Sequence, residues 1–240
     1  MNAPRAILGV FAAVLATAGA MPVSAARAGI APERGVFRIV LDGRTVGSET
    51  FRIFREHGVW KAEGTIELRL PGQATERDHA DLTLASDGAP VAYRWTGKSS
   101  KMRSIVVAFR GDAAEMTLSR PGAAPAVEAY RFPQGHIVVL DNNVYEDYAI
   151  LAQLYDWRTR GTQKFSVLIP QDQTPGTIAV QAMGRRKIAG ETLEWLRVES
   201  PDLEVDLYLD AAHRLMRIVV PGSHAEIVRD SAQVSRPAVH

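Results

Sequence analysis

The residues best equipped for chemistry in this chain are scattered, so their spacing decides what they can do. Histidine occurs six times, and only Asp78-His79-Ala80-Asp81 sets one beside carboxylates. On an extended strand His79 and Asp81 share a face, where they could hold a metal ion or form an acid–base pair. No third ligand lies close in sequence, so the expectation is a solvated polar strand edge and no metal site is assigned. Acids gather late in the chain, at Glu194, Glu199, Asp202, Glu204, Asp206 and Asp210. Glycoside hydrolysis needs two carboxyl groups about 5–10 Å apart across a cleft, whereas these alternate with apolar neighbours and are expected to point outward into solvent. Neither a Gly-x-Ser-x-Gly elbow, Ser-x-x-Lys, His-Glu-x-x-His, a P-loop nor a dinucleotide fingerprint occurs. With no cysteine, thiolate nucleophiles and Cys-ligated zinc or iron–sulfur centres are excluded. No cofactor is implied.

Basic and aromatic residues are distributed more suggestively. Arg94, Lys98, Lys101, Arg103 and Arg110 fall between Gly88 and Gly111 with no acid among them. The tip 97–101 joins two strands that carry Tyr93 and Trp95, a layout in which Lys98 and Lys101 could meet anionic lipid head groups. Lysines also blunt an exposed sheet edge against aggregation, and that use is expected to weigh more. Arg185-Arg186-Lys187 after Gly184 reads as a second basic tip. Trp60, Trp95, Trp157 and Trp195, with Phe51, Phe54, Phe109, Phe132 and Phe165, either fill the inside of a curved sheet or line a cavity there for an acyl chain. Tyr93, Trp95, Lys98, Lys101 and Trp157 are therefore the candidate ligand-binding residues, and catalytic residues are not assigned.

The elements that must position them are strands. From Gly35 onward apolar and polar residues alternate, as in Ile66, Leu68 and Leu70 against Glu67 and Arg69, or Val91, Tyr93 and Trp95 against Ala92 and Arg94. Turn pairs such as Asp42-Gly43, His57-Gly58, Asp87-Gly88, Pro121-Gly122, Pro175-Gly176 and Pro221-Gly222 punctuate the pattern. Their spacing predicts an all-β protein, a single curved antiparallel sheet forming an open or closed barrel of about 11–12 strands. One helix is expected at about 144–158, where Val144, Tyr148, Leu151 and Tyr155 recur at helical spacing. Asn143 and Glu146 suit a capping box, and Glu146 and Asp147 suit the positive helix start. This helix should plug one mouth of the sheet or cover one face. In the closing hairpin, Leu209 is expected opposite Arg214, which sets Leu207 against Met216, Val205 against Ile218, Leu203 against Val220 and Asp206 against Arg217.

The opening residues read as an address. Arg5 precedes the apolar stretch Ala6 to Met21, and Pro22 and a small-residue tail follow, the layout of a secretory signal peptide. The stretch falls short of the roughly 20 residues a membrane span needs, and cleavage is expected after Ala25 or Ala28. Residues 1–28 are thus the signal peptide and 29–240 a single β-rich domain in the periplasm or outside the cell. A chain of 240 residues with 46% hydrophobic side chains can bury roughly 70% of its unfolded surface without disulfides or metal. Losing Arg5 and Arg27 takes the formal charge from +1 to −1, which argues against nucleic-acid binding. No later stretch reaches the length of a transmembrane helix.

The signal peptide, the strand pair through Gly35-Val-Phe-Arg-Ile-Val-Leu-Asp-Gly-Arg-Thr-Val-Gly-Ser-Glu49, the helix ending Tyr155-Asp-Trp-Arg158, the segment Phe165-Ser-Val-Leu-Ile-Pro170 and the hairpin through Val205-Asp-Leu-Tyr-Leu-Asp210 together resemble an uncharacterised family of exported proteobacterial proteins of unknown function. At fold level the pattern is similar to periplasmic lipoprotein carriers, an analogy that transfers no functional residue. The expected function is a non-catalytic binding module for an apolar or amphipathic ligand, a lipid or lipidated partner, at the cell envelope. The alternatives are a protein-binding envelope adaptor and a hydrolase whose site carries no recognisable motif.

Overall fold

The computed structural model describes residues 29–97, 102–133, 136–201 and 203–230, so the proposed signal peptide and Lys98 and Lys101 lie outside the described residues. Strand alternation is realised almost throughout. The strands are β1 Glu33–Leu41, β2 Arg44–Glu56, β3 Val59–Leu68, β4 Glu76–Leu84, β5 Pro90–Thr96, β6 Ser104–Arg110, β7 Ala113–Ser119, β8 Ala126–Arg131 and β9 His136–Val139. Helix α1, Glu146–Leu154, follows, and then β10 Gln163–Ile169, β11 Thr174–Ile188, β12 Glu191–Glu199, β13 Glu204–Leu209, β14 Leu215–Val220 and β15 Ala225–Arg229. All of them join one curved sheet in the order β8-β7-β6-β5-β4-β3-β2-β1-β15-β14-β13-β12-β11-β10-β9. Every pairing is antiparallel except β9 with β10. The sheet does not close, because β8 and β9 end it without pairing to each other.

Fifteen strands among the described residues exceed the expected eleven or twelve. Two turns rest on residues that advertise them poorly: Gln173 and Ala189 both take positive φ. Pro175-Gly176, read as a turn, instead lies inside β11, and the bend falls just before it, where Gln173 N–H donates to the Pro170 carbonyl at 3.1 Å. Val91 also departs from the alternation. Thr83 pairs with Ala92 and Leu84 with Pro90, so Val91 is a bulge residue and stays 42% exposed.

The closing hairpin corrects the expected register by two residues. Asp206 faces Val219, Leu207 faces Ile218 and Tyr208 faces Arg217, with a bulge before Leu209 meets Leu215. Asp210 causes the shift. Its carboxylate accepts the backbone N–H groups of Ala212 and Arg214 at 2.9 Å each and the Arg214 Nε–H at 2.7 Å, which builds a wider turn than alternation alone suggests. Because the displacement is even, Leu207 and Ile218 still share the apolar face.

Helix α1 is shorter than expected at both ends, and the capping box does not form. Asn143 takes a left-handed φ of 62°, the N-cap is Tyr145, and no side chain caps the first turn. The chain leaves the helix at Tyr155, whose backbone is extended. Nearly every face of α1 is buried, since the helix packs against β2, β3 and β14 along the concave face of the sheet. That face is apolar: Phe37 and Ile39 of β1, Phe51 and Ile53 of β2, Ile66 and Leu68 of β3, and Ile105, Val107 and Phe109 of β6 are all buried. Among the described residues no helix is long and apolar enough to cross a membrane.

Candidate functional site

The concave face carries acids where alternation calls for apolar side chains. On β2 the inward series Glu49, Phe51, Ile53 begins with a glutamate that is fully buried. Strand β3 passes beside it and presents Gly64, the gap over which α1 enters. The Glu146 carboxyl fills that gap: a Cβ on Gly64 would overlap its Oε1 and lie 2.6 Å from its Cδ. The Glu146 carboxyl lies against that of Glu49, and the Tyr145 backbone N–H donates to Glu49 Oε1 at 2.9 Å. One residue further on, Asp147 Oδ2 accepts the Asp141 N–H at 3.1 Å. Asp141 in turn accepts the Tyr93 hydroxyl at 2.6 Å and the N–H groups of Asn142 and Gln171 at 3.0 and 2.8 Å. A chain of four carboxyl groups, each at most 3% exposed, therefore runs from β2 through the start of α1 to β5.

Among the described residues none of the four pairs with a lysine or arginine. Removal from water then dominates their ionisation, because burial disfavours the charged form. Burial pushes Glu49 up to about 7, against the hydrogen bonds it accepts. Glu146 rises well above the usual carboxylate range through burial and then the charge of Glu49. Asp147 does likewise through burial and the charge of Glu146. Asp141 reaches about 6, the Tyr93 hydroxyl and backbone donors opposing its burial. Half-buried Asp78 also reaches about 6, through burial and then the charges of Glu76 and Asp141. Four buried polar atoms have no partner among the described residues: Glu49 Oε2, Glu146 Oε2, Asp147 Oδ1 and Trp95 Nε1.

This arrangement can hold protons and orient a donor. Its acids are too deeply buried to meet a substrate as a carboxylate pair, and among the described residues no group of three or more His, Asp or Glu side chains is placed to hold a metal ion. His79 and Asp81 do meet, Nε2 to Oδ1 at 3.2 Å, but both are partly exposed, and His79 also contacts Thr65 Oγ1 at 3.2 Å.

Of the candidate ligand residues, Tyr93 and Trp95 come together on the inner face of β5, 1% and 2% exposed. Trp157 sits apart, beyond the other end of α1. Its indole N–H donates to the Ala152 carbonyl at 3.0 Å and its ring stacks on His213 at 4.0 Å. Two expectations are corrected. Arg185 and Arg186 belong to β11 and do not form a tip: Arg185 pairs with Glu194 at 2.7 Å, and Arg186 lies over Trp195. Glu194 and Asp206 are buried instead of solvated, because Arg185 and Arg197 cover them, the latter contacting Asp206 at 2.9 Å. Sequence reasoning missed Glu49, Asp141, Glu146 and Asp147. The signal available was Glu49 in phase with Phe51 and Ile53, together with a glycine, Gly64, in mid-strand.

Fold and interior define a barrel-like all-β protein built on one unclosed sheet around a helix. No family model matches the chain, and no curated protein matches it. A solved structure similar to it is the beta-barrel-like protein of a domain of unknown function, DUF1849, from Brucella abortus, with a TM-score of 0.55 and 8% identity over 84% of this chain and 95% of that one. At that identity the likeness establishes the fold.

Proposed function

We propose that the protein is an exported, non-catalytic binding module of the cell envelope, and that an apolar or amphipathic ligand lies against the inner face of the open barrel beneath α1. The observation that carries this reading is the pair of buried polar atoms on that face that have no partner among the described residues and lie outside the Glu49–Glu146 contact, Trp95 Nε1 and Asp147 Oδ1. Buried polar groups are nearly always hydrogen-bonded, and an apolar wall with a few convergent polar groups is how small-molecule sites are built. The unclosed sheet supports the same reading, since β8 and β9 can part without breaking a ladder. Export rests on the leader-like residues 1–28, and likeness to lipoprotein carriers is analogy at the level of fold. The test is tryptophan fluorescence of the mature protein titrated with a single-chain lysophospholipid. Saturable binding that weakens in Trp95→Phe is expected, and a flat response up to the micelle concentration would overturn the reading.

One observation favours the adaptor reading. Strand β8 has no buried residue, its Val127 is 63% exposed, and its outer edge has no ladder partner among the described residues, the arrangement to which an extended partner strand adds. Beside it a groove of about 370 Å³ is lined in part by Ala108, Arg110, Glu115 and Arg131. A photo-crosslinking residue at position 127 should capture a protein partner in cells under this reading, and a clean monomer band would remove it.

A further inference from the structure

The start of α1 is fastened to the sheet by a contact that ordinary ionisation would break. Glu49 Oε2 and Glu146 Oε2 are both buried with no donor among the described residues, and two ionised carboxylates have only acceptors to offer each other, so the contact of these side chains needs a proton on one of them. Gly64 brings the β3 backbone so close beneath the Glu146 carboxyl that no side chain from β3 intervenes. We propose that a proton held between Glu49 and Glu146 is the latch that seats helix α1 in the barrel, and that its withdrawal at alkaline pH frees the start of the helix from β2 and β3. The latch stands whether or not the barrel takes a ligand.

Among the described residues the surroundings give the pair no other means of neutralisation. From β2 the facing group is Glu49 itself. On β3, Glu63 is engaged by Arg52 and Thr65 by His79. Asp81 of β4 adds repulsion at longer range. On the helix and the turn before it stand Asp147, Tyr145 and Tyr148, with Asp141 and Tyr93 behind them. Arg217 of β14 is engaged by Glu226, and Arg229 of β15 by Glu33. Once the shared proton leaves, two like charges face each other in a site of low dielectric, where repulsion is strongest. The direction of ionisation agrees: burial raises both groups, Glu49 to about 7 and Glu146 well above the usual carboxylate range. A raised carboxyl favours the seated state fully at acidic pH and ceases to do so as pH climbs through the folded value.

The experiment is hydrogen exchange by mass spectrometry on the mature chain at about pH 5.5 and about pH 8.5, each rate divided by the intrinsic chemical rate. Amides of α1 are expected to exchange at least about tenfold faster at the higher pH, the ratio that a one-unit pKa separation carries, while β2 and β3 stay protected. In the double variant Glu49→Gln/Glu146→Gln, an amide donates where the proton did, and the rise should vanish. Should that variant fail to fold, Glu49→Gln alone serves, since its amide oxygen still accepts from Tyr145. Unchanged exchange in the parent protein, an equal rise in the variant, or loosening spread evenly over β2 and β3 would each overturn the latch.

Discussion

At Gly64 the absence of a side chain is itself the functional feature. A methyl group there would overlap the Glu146 carboxyl, and overpacking of this kind costs roughly 1–3 kcal/mol. Gly64→Ala should therefore lower the urea midpoint, and in a Glu146→Ala background most of that loss should disappear, because residues in contact are not additive. Additive losses would mean that the two groups do not meet. The sequence made this juxtaposition hard to see. A strand glutamate usually points to solvent, and Glu146 and Asp147 at a helix start usually answer the helix dipole. Tyr93 and Trp95 were legible as inward residues because their alternation is clean, whereas Val91, equally in phase by sequence, was lost to a bulge that alternation cannot announce.

At the scale of elements, the first and last strands are clamped together through one arginine. Strands β1 and β15 pair from Phe37 with Arg229 to Leu41 with Ala225, and the buried Arg229 meets Glu33, the carbonyls of Leu215 and Arg34 at 3.2 and 2.7 Å, and the ring of Phe51. Glu33 also accepts the Gln153 amide at 2.9 Å, which ties the last turn of α1 to the same clamp. Arg229→Met keeps the length but leaves Glu33 buried without its cation, a change that costs about 3–5 kcal/mol in comparable buried pairs. Denaturant unfolding followed by far-UV circular dichroism should show a loss of that size, and a loss under about 1 kcal/mol would mean the clamp is replaceable by apolar packing. Strands were readable because period-two patterning survives in nearly all of them. Their number was not, because turns at Gln173 and Ala189 use a left-handed backbone without glycine in that position.

Over the whole molecule, opposed titrations set the pH at which the protein is most stable. Glu49, Asp78, Asp141, Glu146 and Asp147 are all raised by burial. Their folded forms hold protons that the unfolded chain releases, so stability falls as pH rises from the unfolded carboxylate range through the folded values. His213, stacked on Trp157, is shifted downward chiefly by burial, and its share is lost as pH falls below the usual histidine value. Glu56, Glu67 and Asp156 are lowered by their basic or backbone partners and lose their share only below the ordinary carboxylate range, so the denaturation midpoint should decline from about pH 5 to about pH 8, and a rising midpoint across that interval would refute the protonated interior. Composition and punctuation were enough to read a mainly β fold with a single helix among the described residues. Whether the sheet closes was beyond them, because closure depends on how far twist and bulges carry β8 and β9 toward each other.

The central claim is that this open barrel receives an apolar or amphipathic molecule on the face that α1 covers. Native mass spectrometry of the protein purified from its own cells tests it most directly. The account predicts a second species heavier than the polypeptide alone by the mass of a lipid-like molecule, which collisional activation strips away. A bare polypeptide mass, alone or with a protein partner attached, would contradict it.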